Sequence, residues 1–339
     1  MTNIRQIARE AGVSVGTVSN VLNHYEHISE PVRERVMEVV RKYNYRPSVI
    51  ARSLSTRRTG MLGLIISLNP TPFYNDLAQG AIESAQEADV RLLVVAVRYE
   101  ADDLPEQIDA LSRQWVDGIF IATQPVPEDI LSQLPAQNPP LVVLDRGQTP
   151  PRQTVGLVGF DWQNAGYAAT RHLIELGHER IGYVGGIPGR SSSVLRERGY
   201  LQALREAGIR EDARLMRDGD FFSESGYRQA MDLLSQPSRP TALFLANDLM
   251  ALGAYKAIAE SGLRIPDDVS VVGVDDVFFT PFLAPPLTTV RVPTKEAGRA
   301  GIRILLDSSA GALSGAEEGI RCATLPTTLQ VRSSTGKPS

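Results

Sequence analysis

From residue 61 onward the chain is built of short, nearly unbroken apolar runs with helical stretches between them. One set reads LGLIIS (62–67), LLVVAV (92–97), GIFIA (118–122) and LVVLD (141–145). A second reads VGLVGFD (155–161), IGYVGG (181–186), ALFLAN (242–247) and VSVVGVDD (269–276). Runs of this kind leave no polar face for water, so each strand must be covered on both sides. Amphipathic stretches such as 163–176, 193–207 and 248–261 supply the covering helices. The alternation predicts parallel sheets with helices on both faces, and two sets predict two similar α/β lobes. No Gly- or Ser-rich linker divides the sets. TTVRVP (288–293) is expected to return the chain to the first lobe.

The first sixty residues follow a different rule. Ile4, Ile7, Ala8 and Ala11 are spaced as one helical stripe. Gly12 is expected to stop that helix, and Ser14 to cap the next, which runs from about Val15 to Asn23 with Val18, Val21 and Leu22 inward. Ser29 and Pro31 mark a third start, and Val32, Val36, Val39, Val40 and Tyr43 form its buried stripe. Two short helices joined by a tight turn and braced by a third make a helix-turn-helix unit. The outer face of the second helix offers Val15, Gly16, Thr17, Ser19, Asn20 and Asn23, small groups that let a helix approach DNA closely.

Charge agrees. Residues 1–60 hold ten Arg and Lys against five Glu, although the whole chain has a net charge of −4. A basic head on an acidic body is expected of a DNA-binding module joined to a soluble domain. In YRPSVIARSLSTRRTG (45–60) Pro47 breaks the third helix and Ser48 can cap a short one near 49–55. Such a segment is too short to be helical unaided. Arg52 suits a phosphate backbone, and Leu54 suits either a minor-groove wedge or an ordinary exposed leucine.

Polar residues at strand ends define the candidate ligand site, because ligands of open α/β sheets sit beyond those ends. Asp145, Asp161, Asn247 and Asp275 each close an apolar run. Helix capping is the competing role, weighing most on Asp161 and Asn247. Arg190 and Arg196 offer a planar fork of donors for hydroxyls or a carboxylate, or a salt bridge. Phe73, Tyr74 and Phe221 could stack on a ligand or pack in a core.

The motifs IRQIAREAGVSVGTVSNVLN, ISEPVRERVMEVVRKYNYRP, ARSLSTRRTGMLGLI and LPTTLQVRSST resemble the lactose-repressor (LacI/GalR) family over nearly the whole chain. The resemblance implies a helix-turn-helix domain at 1–46, a hinge helix and linker at 47–60, and a two-lobed, periplasmic-binding-protein-like effector and dimerisation domain at 61–339. It implies that Val15, Gly16 and Asn20 face bases, that Thr17 and Ser19 meet the DNA backbone, and that Leu54 is the wedge. It places Arg196, Phe221, Asn247 and Asp275 at effector-contact positions, and Phe73 and Arg190 at positions used in some members.

The expected function is a ligand-responsive transcription regulator, a homodimer on a double-stranded, pseudo-palindromic operator. Its effector is expected to be sugar-like, with a purine-like ligand as the second choice. The competing readings are an α/β enzyme with an accessory DNA-binding head, using Asp145 or Asp275 as acid or base, and a solute-binding transport protein. No G-x-S-x-G elbow, P-loop lysine or spaced metal ligands support an enzyme or a cofactor. One cysteine, Cys322, excludes an internal disulfide framework, and His24, His27, His172 and His178 are scattered. No run of 18 apolar residues and no secretory pattern appear, so a cytoplasmic protein that does not enter membranes is expected.

Overall fold

Asn3 starts the first helix by accepting the backbone N–H of Gln6 at 3.0 Å. Helix α1 (Ile4–Ala11) ends where Gly12 turns left-handed at φ 64°, a conformation glycine adopts without steric penalty. Ser14 Oγ then accepts the Thr17 N–H at 3.0 Å and opens α2 (Val15–Leu22). Helix α3 (Glu30–Lys42) follows, with proline in its first turn. Ile7, Ala8, Ala11, Val18, Val21, Val36 and Val40 close the core of the three helices. Lys42 pairs with Glu10 at 3.2 Å, and the Tyr43 hydroxyl donates to the same carboxylate, tying the end of α3 to α1.

The computed structural model describes residues 3–22, 27–45, 59–68, 71–98, 103–123, 139–145, 154–309 and 320–339. Asn23, Arg52, Leu54 and nearly all of the expected hinge lie outside the described residues. The chain divides into two compact units, Met1–Gly60 and Met61–Ser339.

In the second unit the order is β1 (Met61–Ser67), α4 (Pro72–Glu87), β2 (Arg91–Val97), α5 (Leu104–Arg113), β3 (Ile119–Ala122), β4 (Leu141–Leu144), β5 (Thr154–Phe160) and α6 (Trp162–Glu175). Then come β6 (Ile181–Val184), α7 (Ser191–Glu206), β7 (Met216–Arg217), α8 (Ser223–Leu234), β8 (Ala242–Leu245) and α9 (Asp248–Glu260). The chain closes with β9 (Ser270–Asp275), β10 (Thr288–Arg291), α10 (Thr294–Ser309), β11 (Arg321–Leu325) and β12 (Thr328–Gln330). One sheet has the order β11-β5-β4-β3-β1-β2 and the other β12-β10-β9-β8-β6-β7. Strand β12 runs antiparallel to β10, and the other pairs are parallel.

Two expectations about lobe membership are corrected. VGLVGFD belongs to the first sheet, where β5 pairs with β4, Val142 opposite Gly156. TTVRVP does not return the chain to the first lobe, because β10 pairs with β9. That return is made by α10, packed on α4, and by β11, paired with β5. An apolar run shows that a strand is covered on both faces; it does not say which strand is its neighbour. The chain therefore crosses between lobes after β5, after β10, and between β11 and β12.

Three helix pairs pack with their backbones in contact: α4 with α10, α6 with α7, and α8 with α9. Each crossing places a glycine on both helices, Gly80 and Gly298, Gly166 and Gly199, Gly226 and Gly253. A Cβ on any of the six would lie 1.9–2.1 Å from a backbone oxygen of the partner helix. In all six cases that oxygen belongs to the residue three places before the facing glycine. Gly199→Ala is therefore expected to lower unfolding stability by about 1–3 kcal/mol, the usual range for overpacking. Urea unfolding followed by circular dichroism checks this, and an unchanged midpoint would refute the close crossing.

Candidate functional site

Helix α2 turns Val18 and Val21 into the head's core. Its other side carries Val15, Gly16 and Asn20 in the open, with Thr17 and Ser19 half-buried beside them. The Ser14 hydroxyl is engaged by the helix cap and lies 2.9 Å from Thr17 Oγ1. The exposed strip is thus made of small side chains on a helix whose start is fixed by its own hydrogen bonds.

The second site is a cleft between the two lobes, at the carboxyl ends of the strands. Thr71, Phe73 and Tyr74 follow β1, Leu144 and Asp145 end β4, and Trp162 follows β5. Arg190, Ser192 and Arg196 follow β6, Phe221 follows β7, Asn247 follows β8, and Asp275 ends β9. The cleft holds about 490 Å³ of space that is open to solvent.

Arg196 is the centre of its electrostatics. It is 4% exposed, yet its Nε and Nη1 find no hydrogen-bond partner among the described residues. Its guanidinium carbon lies 3.9 Å from the centroid of the Trp162 ring and 5.5 Å from that of Phe221. Burial works against its charge, while Asp275, Tyr183 and Asp145 work for it. Leaving a buried donor unpaired costs about 1–3 kcal/mol or more, so this fork calls for acceptor oxygens.

Asp275 Oδ1 is also buried without a partner among the described residues. Desolvation pushes this carboxyl up to about 7, against the pull of Arg196. The neighbouring Asp248 is fully buried, accepting from Thr289 Oγ1 at 2.6 Å and from the Val277 N–H at 3.0 Å. Burial, then the nearby Asp275 charge, raises it well above the ordinary carboxylate range. Asn247 caps α9 through Oδ1 on the Met250 N–H (2.9 Å), and its Nδ2 donates to the Phe221 carbonyl (3.0 Å). Asp145 accepts from Trp162 Nε1 at 2.9 Å and from the Phe160 N–H at 3.3 Å. Asp145, Phe221 and Asp275 have φ of 49°, 71° and 120°, backbone conformations that collect at binding sites.

Sequence reasoning brought Phe73, Asp145, Arg190, Arg196, Phe221, Asn247 and Asp275 to the cleft lining, with Tyr74 beside Phe73. Asp161 is a correction. It is exposed, caps α6 by accepting the Asn164 N–H at 2.9 Å, and does not line the cleft. The next residue, Trp162, lines it instead. Here Asp161 is spent on the cap and the first helical residue, Trp162, faces the cleft, with DW at 161–162 as the available signal. Thr71, Leu144 and Ser192 were also missed. Among the described residues no His, Cys, Asp or Glu group is placed to hold a metal, and no helix is long and apolar enough to cross a membrane.

Residues 3–48 match the family described as bacterial regulatory proteins, lacI family, and residues 170–335 match the periplasmic binding protein-like domain. A Haemophilus influenzae protein, HTH-type transcriptional repressor PurR, is 34% identical over 308 residues, 91% of each chain. The chain belongs to the LacI family. A Lac repressor dimer bound to operator and an anti-inducer has the same fold, with a TM-score of 0.84 at 29% identity over 99% of both chains. The transcriptional regulator CelR in complex with cellobiose matches with a TM-score of 0.74 at 31% identity, over 98% of this chain and 100% of that one. As a LacI-family member the chain is a ligand-responsive transcription regulator, with a DNA-binding head and a two-lobed body.

The raised carboxyl of Asp275 has a measurable consequence. Folded, it holds its proton up to about pH 7. Unfolded, it releases the proton near pH 4. Asp275 therefore contributes a loss of stability as pH rises from about 4 through 7, read as the difference between the parent chain and a variant at this position. Asp275→Asn cannot deprotonate and should lose less over the same interval, with Asp248 still contributing a fall in the same direction. Melting temperatures on both sides of neutrality check this; a variant that falls as far as its parent would exclude Asp275 as the source.

Proposed function

We propose that this chain is a repressor that binds a pseudo-palindromic, double-stranded DNA operator as a homodimer, with its hold on DNA set by a sugar or sugar derivative in the cleft. The observation that carries the effector reading is that two Arg196 donors and one Asp275 oxygen have no hydrogen-bond partner among the described residues. A hydroxyl both accepts and donates, so adjacent hydroxyls satisfy the arginine fork and the carboxyl together. The cellobiose complex of CelR supports the same class. A purine-like base is the second reading, favoured by Phe73 and Tyr74 from one lobe and Phe221 from the other, between which a flat ring can stack.

In this reading residues 1–46 bind DNA, 47–60 form the hinge, and 61–339 bind effector and dimerise. Val15, Gly16 and Asn20 face bases, Ser14, Thr17, Ser19 and Asn23 meet the DNA near or at the backbone, Arg52 meets phosphate, and Leu54 enters the minor groove. The basic balance of the head supports this. Dimerisation is supported by large apolar side chains left open on the body: Val94 on the edge strand β2 (43% exposed), Phe278 (73%) and Phe282 (84%). The protein acts by binding rather than turnover, and its place of action is the DNA of the cytoplasm.

A thermal-shift series of sugars, sugar phosphates, nucleosides and nucleobases separates the effector readings. A true effector at 100 times its Kd adds about 2.7 kcal/mol. Arg196→Met should weaken the winning compound by about 100-fold, the loss of two charge-assisted hydrogen bonds. Equal affinity in the variant would remove Arg196 from the site. Duplexes selected from a random pool should bind with affinity that falls steeply with salt, and Phe282→Asp should shift sedimentation from dimer toward monomer. A chain that selects no duplex would defeat the DNA reading; an unshifted Phe282→Asp would move the dimer contact elsewhere.

A further inference from the structure

Trp162 touches both the buried arginine of the second lobe and the carboxylate of the first. Its ring face carries the Arg196 guanidinium at 3.9 Å. Its edge crosses the cleft, where Nε1 donates to Asp145 Oδ2 at 2.9 Å. Asp145 ends β4 in a left-handed conformation, φ 49°. Its other carboxylate oxygen accepts the Phe160 N–H at 3.3 Å, and its carbonyl accepts Ser191 Oγ of α7 at 3.1 Å. The end of β4 is thus held by the first residue of α6 and the first residue of α7.

Those two helices cross with their backbones in contact. A Cβ at Gly166 would lie 2.0 Å from the Arg196 carbonyl oxygen, and one at Gly199 would lie 2.1 Å from that of Gln163. With the backbones in contact, a change at the Arg196 guanidinium reaches Asp145 through the indole. A cation over an aromatic face polarises the ring, which strengthens the N–H at its edge as a donor to a carboxylate. Acceptor atoms that engage Nε and Nη1 would draw on that charge.

We propose that Trp162 is a positioning residue that links arginine occupancy to lobe closure: its face aims the Arg196 fork into the cleft, and its N–H ties the first lobe to the second through Asp145. The link to regulation rests on reading the cleft as the effector site, but the tether itself is tested on the ligand-free full chain.

Hydrogen exchange is measured over 141–145 and 154–160 in Trp162→Phe, Arg196→Met and the double variant. Trp162→Phe keeps a ring beneath the arginine and removes the N–H donor, so exchange there should rise about tenfold. Arg196→Met should also raise it, and that effect should vanish once Trp162 is Phe, because contacting residues in one network are not additive. An Arg196→Met effect of the same size with and without the indole overturns the proposal, as does parental exchange in Trp162→Phe.

Emission supplies a readout that needs no change at Trp162. The chain has two tryptophans, so Trp115→Phe leaves Trp162 as the sole tryptophan, read with excitation at the red edge where tyrosine does not absorb. Excitation moves electron density from the pyrrole to the benzene ring of indole, and a carboxylate at the N–H edge favours that excited state. Asp145→Asn in this background should therefore move emission to shorter wavelength, and an unmoved spectrum overturns the tether even if Trp162→Phe fails to fold. If no compound in the thermal-shift series binds, the effector reading fails while these results stand.

Discussion

The cleft depends on a contact between two backbones. Gly166 lies one turn after Trp162 on α6, and Gly199 lies one turn after Arg196 on α7. A Cβ at either glycine would meet the other helix's carbonyl oxygen at about 2 Å. The contact fixes how deep α7 sits, and so how far Arg196 enters the space between the lobes. Trp162 then fills the room left beside it and presents its N–H to Asp145. The same device recurs at Gly80 with Gly298 and at Gly226 with Gly253, so both lobes are built on helix pairs too close for any larger side chain.

On that scaffold the cleft holds groups a folding chain would otherwise avoid. Among the described residues, Arg196 is buried with two donors unused, and Asp275 has an oxygen unused. Asp145, Phe221 and Asp275 keep backbone conformations that favour glycine. Each feature costs stability in the ligand-free chain. Polar groups kept unsatisfied by rigid surroundings are ready to bind, because little must be rearranged when a ligand arrives.

The head works by the opposite means. Among the described residues its core is small and ordinary, seven buried Ile, Ala and Val side chains, and one face of α2 is stripped of bulk. Val15, Gly16 and Asn20 keep that face low, and Ser14 fixes where the helix begins.

Much of this was written locally. Apolar stripes at helical spacing marked α1, α2 and α3, Gly12 and Ser14 marked the turn between the first two, and unbroken apolar runs marked the strands. These are consequences of neighbours in sequence, where periodicity and capping act within a turn or two. Strand ends also pointed correctly to Asp145, Asn247 and Asp275 as cleft residues. What only the tertiary structure decided was pairing. An apolar strand looks the same whichever sheet it joins, so VGLVGFD and TTVRVP were given the wrong lobes. A strand-end Asp looks the same whether it faces a ligand or caps a helix, so spacing leaves both roles open for Asp161, and the fold makes it the cap. The reciprocal glycines and the Arg196–Trp162–Asp145 contact join residues that are far apart in the chain, and nothing in local spacing encodes which distant backbone a given residue will meet.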